Sequence, residues 1–280
     1  MKNWVWALGA LMILAACSGK KTEVAVQDSV AAIDTLVADT LNIKEAEEVL
    51  PVNADELFDD FIFDFSQNEK VQLARISFPL SIVNNGETTK IRRKEWTYDP
   101  LFANRDYYTI LYNQEKEQQL EKDTALVNVR VEYLNLDNRQ AKRYDFQRYQ
   151  GRGMWLLCNI TNEQFTQEKD PVDFLDFYQK FANDSIFQRE HVTDPLKFIT
   201  FDPDDDFQVI ETTLELDQWF AFRPELPQHE LTNVVYGQNY EGANQKLICF
   251  RGCGNGLNTI LTFQRQEKGW MLTGFEDTSE

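Results

Sequence analysis

The chain has 280 residues, with 28 Lys and Arg against 46 Asp and Glu, which gives a formal net charge of −18. Phosphate backbones and anionic phospholipid are repelled by this charge, so the composition argues against nucleic acid or a bare anionic membrane surface as a partner. Aromatic residues make up 13% of the chain, including 20 Phe, and supply ample material for packed cores.

The first residues have the features of an export signal. Lys2 supplies a positive charge ahead of residues 4–16, which carry no charge and are fewer than the about 20 apolar residues needed to span a bilayer. Residues 14–17, Leu-Ala-Ala-Cys, resemble the lipobox of bacterial lipoproteins, in which small residues precede a cysteine that accepts lipid. We therefore expect residues 1–16 to be a signal peptide and Cys17 to be the lipid attachment site. An ordinary signal peptide followed by an unmodified cysteine is the alternative.

The segment after the cysteine has the composition of a tether. No aromatic residue occurs between Ser18 and Asn53, so the segment cannot bury enough apolar surface to offset its ordering entropy. We expect residues 17–52 to be an acidic, flexible connection between a lipid and a folded part. Because Ser18 rather than an aspartate follows the cysteine, the resemblance to Gram-negative lipoproteins implies a lipid anchor in the cell envelope, at the outer membrane. The leaflet stays open.

The rest of the chain contains an internal repeat. Residues 58–80 align without a gap on residues 174–196, and seven of the 23 aligned positions are identical. The identical pairs are Phe58/Phe174, Asp60/Asp176, Phe61/Phe177, Phe65/Phe181, Gln72/Gln188, Pro79/Pro195 and Leu80/Leu196. The correspondence continues more loosely, with Trp96 near Trp219 and Tyr112 near Tyr236. The repeat predicts two copies of one domain, residues 53–165 and residues 166–280.

Each copy begins with a helical pattern and continues with strands. Asn53 and Glu56 have capping-box spacing in the first copy, and Asp170 with Pro171 gives cap and first-turn signals in the second. Phenylalanines then recur at helical spacing, and a shorter helix follows that is expected to end in a turn at Pro79 or Pro195. Afterwards the apolar period changes to two, which indicates strands. This order predicts an α+β domain in each copy, with helices packed in a curved antiparallel sheet.

The order of these parts resembles the nuclear transport factor 2-like fold, a cone of helices inside a bent sheet. The features that carry the resemblance are the aromatic first helix, the segment from Gln72 to Pro79 or from Gln188 to Pro195, and the closing strand at Trp155 or Trp270. The chain resembles a group of uncharacterised Gram-negative lipoproteins that carry this fold in tandem. Because the fold commonly pairs through its sheets, the resemblance also implies that the two copies pack as an intramolecular pseudo-dimer.

The leading hypothesis for function is a non-enzymatic binding or scaffolding module in the envelope, whose partner is a small molecule, a glycan or a protein segment. The resemblance implies an aromatic pocket in each copy, and Trp96, Tyr112, Trp219 and Tyr236 are able to stack on a ligand. Burial of these four side chains in the core is the alternative. A structural assembly factor with an acidic docking surface is a further possibility.

An isomerase or dehydratase-like enzyme is the other class to weigh, because some proteins with this fold hold an acid and a base in the cone. Asp60 and Asp176 are the aligned carboxylates, but their spacing places them beside the apolar stripe. His191 is a candidate base, yet it aligns with Arg75, which cannot act as one. The sequence therefore predicts no catalytic residue.

The cysteines and histidines give no metal motif. His191 and His229 are the two histidines, and neither has zinc-ligand spacing from a cysteine. Cys249 and Cys253 are the closest cysteine pair and are candidates for a disulfide in an exported protein, with free buried thiols as the alternative. We expect no metal and no cofactor.

Overall fold

The computed structural model describes residues 57–149, 153–238, 240 and 243–280, with Asp206 and Phe207 described by their backbone only. The predicted signal peptide, the lipid site at Cys17, the tether and the capping residues before residue 57 lie outside the described residues. In the part of the chain that is described, no helix is long and apolar enough to cross a membrane.

The aromatic stripes form helices where they were expected. α1 (Phe58–Gln67) is followed by the short α2 (Glu69–Ala74), and α3 (Val172–Asn183) by the short α4 (Ser185–Glu190). Asn68 caps α2 by accepting hydrogen bonds from two backbone amides of its first turn, and Asp184 caps α4 in the same way. A helix of one and a half turns would be marginal alone, so these caps and the packing of the neighbouring helix hold it.

Twelve strands and three further helical turns make up the rest of the described chain. The strands are β1 (Ile76–Asn84), β2 (Glu87–Ile91), β3 (Tyr107–Tyr112), β4 (Asn128–Asn135), β5 (Gln140–Arg148), β6 (Trp155–Gln164), β7 (Val192–Asp202), β8 (Asp205–Leu214), β9 (Glu230–Val235), β10 (Gln245–Gly252), β11 (Asn258–Gln266) and β12 (Gly269–Asp277). The helical turns are 3-10 segments at Arg93–Glu95 and Glu115–Lys122, and α5 (Leu216–Phe222).

The strands form two six-stranded sheets, so the α+β prediction is confirmed. The first sheet has the order β2-β1-β6-β5-β4-β9 and the second the order β3-β10-β11-β12-β7-β8. Both sheets are mixed rather than antiparallel, because β1 pairs in parallel with β6 and β7 pairs in parallel with β12. In each half of the chain the first strand therefore lies beside the last strand, β1 beside β6 and β7 beside β12, and the two run in the same direction.

The predicted turns at Pro79 and Pro195 are wrong, since both residues lie inside strands. Proline lacks the backbone N–H that a central strand donates, and it is tolerated only where the ladder is interrupted. The pairing of β1 with β6 is irregular between Ile76 and Ser81, and the pairing of β7 with β12 is irregular at the matching place. The prolines lie in these gaps.

One edge strand of each sheet comes from the other predicted copy, across the boundary between residues 165 and 166. β9 pairs with β4 in the first sheet, and β3 pairs with β10 in the second. The two exchanged strands meet at Thr109 and Thr232, where the Thr109 amide donates to Thr232 Oγ1 over 2.6 Å and Thr232 Oγ1 donates to the Thr109 carbonyl over 3.2 Å. These hydrogen bonds satisfy backbone groups that an edge strand would otherwise leave open.

Two aromatic cores fill the space between helices and sheets. Phe146 of β5 meets Phe58, Phe61 and Phe65 of α1 edge to face, with ring centroids 5.3–5.7 Å apart. Phe263 of β11 meets the α3 phenylalanines in the same way, with centroid distances of 5.3–5.8 Å. Edge-to-face contacts of this kind add stability beyond the area that they bury. The phenylalanine stripes are therefore core and not the wall of a ligand site.

A buried arginine joins three strands of the first sheet to the start of α3. Arg143 is 1% exposed, and its guanidinium donates to Glu132, Glu163 and Asp170 over 2.9, 2.5 and 2.5 Å. Glu132 also accepts from Asn233 of β9 over 2.9 Å. Burial raises the pKa of Glu132, and the arginine counteracts this effect. Removal of the guanidinium would leave the buried carboxylates of Glu132 and Asp170 without their ion pair, in a place that water reaches poorly.

We expect Arg143→Met to lower the free energy of unfolding by about 3–5 kcal/mol, because a broken buried ion pair leaves an uncompensated charge. Urea unfolding followed by tryptophan fluorescence measures the change. Arg130→Met is the matched control, since Arg130 pairs with Asp145 in the same sheet but its side chain is 40% exposed; its loss should cost less than about 1 kcal/mol. Equal losses in the two variants would contradict this account.

Candidate functional site

The first sheet carries a cavity of about 380 Å³, which we call the polar cavity. Its floor is formed by β4, β5 and the end of β6, and its wall by the loop between Trp96 and β3. Five amide side chains, five charged side chains and two tyrosines dominate the lining. The lining residues are Asn85, Asp99, Leu101, Arg105, Tyr133, Asn135, Asn138, Gln140, Ala141, Lys142, Tyr144, Asn162, Glu163 and Glu230.

A fully buried glutamine fixes the wall of the polar cavity. Gln72 of α2 donates to the carbonyls of Phe65 and Asp99 over 3.1 and 2.7 Å. Its carbonyl oxygen accepts from the Trp96 indole over 3.0 Å and from the Asp99 amide over 2.9 Å. The side chain thereby uses its whole hydrogen-bonding capacity, with three bonds to the loop and one to α1. This is why Asp99 has a defined position although it lies in a loop.

Asp99 organises the charges of the cavity. Its carboxylate accepts from Lys142 over 3.0 Å and from the hydroxyl of Tyr144, and it also accepts from the Leu101 amide over 3.2 Å. Burial works to raise the pKa of Asp99, but the hydrogen bond from Tyr144 and the Lys142 ammonium outweigh it, so the pKa lies below its usual range. The carboxylate is therefore ionised at neutral pH and holds both neighbours in place.

The backbone next to Asp99 is strained. Leu101 has φ +45°, in the left-handed region where side chains larger than glycine are disfavoured. Its side chain is only 6% exposed and packs in the core, which gives a reason for the leucine to be held there. Strain of this kind costs on the order of 1–3 kcal/mol and is concentrated at binding and catalytic sites. The observation points to a function for this loop.

Tyr133 adds an unsatisfied polar group to the cavity. Its hydroxyl is buried and has no hydrogen-bond partner among the described residues. The Arg105 guanidinium lies 5.3 Å from the centre of its ring, and Arg105 in turn pairs with Glu230 over 2.6 Å. Buried hydroxyls without a partner are rare, and a ligand or an ordered water often completes them.

A second cavity of about 120 Å³, which we call the aromatic cavity, lies on the other side of the same loop. Its lining residues are Asp59, Ile62, Phe63, Ser66, Gln67, Phe102, Ala103, Tyr108, Gly252 and Cys253. Phe102 separates the two cavities, because its ring stacks on Tyr108 with centroids 4.9 Å apart and on Tyr133 with centroids 6.0 Å apart. Movement of the loop would change both cavities together.

Asp59, in the first turn of α1, is the ionisable group of the aromatic cavity. Burial raises its pKa to about 6, although the hydrogen bond from the Tyr236 hydroxyl works in the opposite direction. The nearby carboxylates of Glu121 and Asp60 add to the increase, and Arg251 opposes it. Arg251 is itself paired with Glu121 over 3.2 Å, and within the described part of the chain no ion pair to Asp59 forms.

The structure places most of the sequence-predicted pocket residues in the cores. Tyr112, Trp219 and Tyr236 are at most 2% exposed, and their polar atoms donate to Glu121, Gln188 and Asp59. Trp96 is partly buried and donates to Gln72, so it supports the polar cavity without lining it. The alternative of core packing therefore describes these side chains better than the ligand-stacking role.

Tyr112 and Tyr236, which the looser part of the alignment places near each other, have different positions relative to their strands. β3 ends at Tyr112, whereas β9 ends at Val235 and leaves Tyr236 beyond the strand. The two tyrosines therefore have different surroundings: Tyr112 donates to Glu121 over 2.8 Å, and Tyr236 donates to Asp59.

His191 lies away from both cavities. Its ring stacks on Phe187 with centroids 3.8 Å apart, and its Nδ1 lies 2.7 Å from the Phe187 carbonyl. The aligned carboxylates are also outside the cavities, since Asp60 is exposed and Asp176 pairs with Arg139 on the surface. Neither arrangement brings an acid and a base together.

The cysteines and acidic groups of the described chain form no cross-link and no metal cluster. Cys158, Cys249 and Cys253 are free in the structure, so the candidate pair Cys249 and Cys253 is not joined there, and the alternative of free thiols describes it. No group of three or more candidate metal ligands occurs among the described residues.

Sequence reasoning missed the carboxylates that line the cavities, Asp59 in the aromatic cavity and Asp99, Glu163 and Glu230 in the polar cavity. A signal for Asp59 was present in the alignment, because the residue opposite it is Leu175, which is 2% exposed. A carboxylate at a position that is apolar and buried in the other copy indicates an inward-facing charge. Asp99 gave no such signal, since its partners come from two elements far from it in sequence: Gln72 lies in α2, and Lys142 and Tyr144 lie in β5.

The two mixed sheets, the helices packed on them and the cavity at a sheet surface define an α+β protein of the NTF2-like class. A crystal structure of an NTF2-like protein from Bacteroides fragilis is 45% identical to this chain, with a TM-score of 0.76. That match covers 82% of this chain and 100% of the other.

The chain belongs to the family described as "Domain of unknown function (DUF4348)", which matches residues 37–277. Comparison with curated proteins gives no match. The family and the solved structure therefore establish the fold and the kinship of the chain, and the chemistry of the cavities has to carry the argument for function.

Asp59 should make the stability of the protein depend on pH. Because its folded pKa of about 6 lies above the ordinary value of 3.8, the folded state binds more protons, and stability falls as the pH rises between these values. Asp59→Asn lacks the titrating carboxylate. The difference between its free energy of unfolding and that of the parent should therefore shift in favour of the variant by on the order of 2 kcal/mol from pH 4 to pH 7. Chemical unfolding at both pH values measures it.

Asp60→Asn is the control for this measurement, because it removes a carboxylate from the same helical turn at an exposed position. A gain of the same size in both variants would show that the first turn of α1, and not the aromatic cavity, is responsible.

Proposed function

We propose that the protein is a non-enzymatic binding module whose polar cavity takes a neutral, polyhydroxylated molecule, and that this molecule is an oligosaccharide. The polar cavity of about 380 Å³ is the observation that carries the proposal, since ligand sites range from roughly 300 to 1,000 Å³. Its five amide side chains, from Asn85, Asn135, Asn138, Gln140 and Asn162, carry both donors and acceptors. Three of them make one hydrogen bond each within the protein through an oxygen or an N–H, which leaves their remaining N–H groups and lone pairs for a ligand. Sugar hydroxyls require that combination.

The charges of the cavity favour a neutral ligand. Lys142 is paired with Asp99, Arg105 with Glu230, and Glu163 with Arg143. No one sign dominates the lining, so neither an anion nor a cation gains from the cavity as a whole. Charged groups in such pairs still donate and accept hydrogen bonds at their free positions, which suits the edges of a sugar ring.

Acid–base catalysis in the polar cavity is the weaker alternative. A general base needs a proton-accepting group that is free to react and a pKa near the working pH. Asp99, however, is engaged by Lys142, Tyr144 and the Leu101 amide, and its pKa is lowered. This arrangement supports a positioning role for the carboxylate.

We expect Lys142→Ala to weaken binding of an oligosaccharide about tenfold, because it removes a charged donor from the cavity and frees Asp99. A screen of envelope oligosaccharides identifies the ligand, and calorimetry measures the affinity. Lys197→Ala is the matched control: Lys197 lies in the second sheet, pairs with Glu211, and is 49% exposed against 43% for Lys142. Binding of no oligosaccharide, or equal effects of the two variants, would contradict the proposal.

The binding module is, in our proposal, held at the outer membrane by lipid on Cys17. Residues 14–17 support this proposal, and residues 17–52 are long and acidic enough to serve as a tether. Two or more acyl chains give stable anchoring, whereas one chain alone binds a membrane only weakly. An oligosaccharide ligand suits a protein in the cell envelope.

Cys17→Ser should abolish lipidation and move the protein from the membrane to the soluble fraction, because the cysteine thiol is the group that would accept the lipid. Metabolic labelling with an alkyne fatty acid, followed by fractionation, measures both effects. Cys158→Ser is the control for the loss of a thiol elsewhere in the chain. Labelling that persists in Cys17→Ser would rule out this anchor.

We also propose that residues 53–165 and 166–280 are products of a tandem duplication and pack as a pseudo-dimer. The recurring buried glutamine supports this view: Gln188 donates to the Phe181 carbonyl over 2.7 Å and accepts from the Trp219 indole over 3.3 Å, as Gln72 does with Phe65 and Trp96. The same order of helices and strands in the two segments is a second support.

A further inference from the structure

The aromatic cavity has two chemically different sides. One side is the carboxylate of Asp59. The rest of the lining is mostly apolar or aromatic, with Ile62, Phe63, Phe102 and Tyr108, and it also includes the neutral polar side chains of Ser66 and Gln67. Phe102 and Tyr108 present a stacked pair of rings, and Phe63 is 48% exposed. A carboxylate beside apolar groups is an arrangement that suits an organic cation, because the cation pairs with the carboxylate while its alkyl carbons contact the apolar groups.

The carboxylate of Asp59 is incompletely compensated by its own surroundings. The Tyr236 hydroxyl that donates to it is neutral, and the nearby Arg251 is shared with Glu121 and Gln118. Burying an anion without a cation is unfavourable, so a positive group that enters the cavity would relieve this cost. The net charge of −18 would also raise the local concentration of cations around the protein.

We propose that the aromatic cavity is a second ligand site, which binds an alkylammonium group with Asp59 as its counter-ion and the rings of Phe102 and Tyr108 as its apolar walls. The site is separate from the oligosaccharide site, and the inference does not depend on the proposed function. Phe102 lies between the two cavities, so a ligand in either cavity would contact the loop that lines both.

The size of the cavity limits the ligand. An apolar cavity of about 150 Å³ holds a molecule as large as benzene. The aromatic cavity, at about 120 Å³, therefore accepts a group of about five non-hydrogen atoms. Butylammonium and tetramethylammonium both meet this limit.

Other ligand classes fit the aromatic cavity less well. An anion would be repelled by Asp59, and a neutral apolar molecule would leave the carboxylate further desolvated. Covalent capture by Cys253 is also disfavoured: its thiol donates to the Phe102 carbonyl over 3.7 Å, and burial raises the pKa of the thiol, which lowers the fraction of reactive thiolate.

The position of Cys253 nevertheless provides a local reporter. The intact chain, purified in a neutral detergent, is titrated with butylammonium, tetramethylammonium or 1-butanol, and affinity is measured by calorimetry. Labelling of Cys253 by N-ethylmaleimide is followed in parallel by mass spectrometry, with Cys158, which does not line the aromatic cavity, as the internal control. The butylammonium and tetramethylammonium arms distinguish a primary from a quaternary ammonium ligand.

We expect at least one of the two cations to bind saturably and to slow the labelling of Cys253 but not that of Cys158, while 1-butanol has no effect. Asp59→Asn should weaken the binding about tenfold or more, and Asp60→Asn, with the same change in net charge, should leave it unchanged. The proposal is overturned if neither cation binds, if 1-butanol binds as well as butylammonium, or if Asp59→Asn retains the parent affinity.

Discussion

The exchange of β3 and β9 between the two sheets is the constraint on which the rest of the structure depends. Because β3 pairs with β10 and β9 pairs with β4, neither sheet is complete without a strand from the other half of the chain. The hydrogen bonds between Thr109 and Thr232 join the two exchanged strands where they meet. Both cavities also combine the two halves: Glu230 of β9 closes the polar cavity, and Tyr236, just after β9, holds Asp59.

The two halves share a scaffold but differ in chemistry. Gln72 and Gln188 make the same contact with a tryptophan and with the end of the preceding helix. When the tryptophans are aligned, Asp99 falls opposite Phe222, which is 61% exposed, and the aligned helices place Asp59 opposite Leu175. The polar groups that make a site are thus confined to one member of each pair, which is what divergence on a common frame would produce.

Local sequence patterns predicted the elements well and their assembly poorly. The spacing of Phe58, Phe61 and Phe65 requires a helix with one buried face, whatever packs against it. The sequence of β3, in contrast, does not indicate which sheet the strand joins, because an apolar strand can pair with either neighbour. The polar cavity was hidden for a related reason: the partners of Asp99 lie in α2 and β5, and only the folded chain brings them together.

The buried carboxylates of the protein fall into two groups, and the difference separates scaffold from site. Glu132 and Asp170 pair with the guanidinium of Arg143 inside the chain, so their charges stabilise the contacts among β4, β5 and the start of α3. Among the described residues, Asp59 accepts only from a hydroxyl and forms no ion pair, which makes its burial unfavourable unless a cation joins it. Buried ionisable groups without an ion pair are found more often at sites that bind a ligand than in the packing of a core.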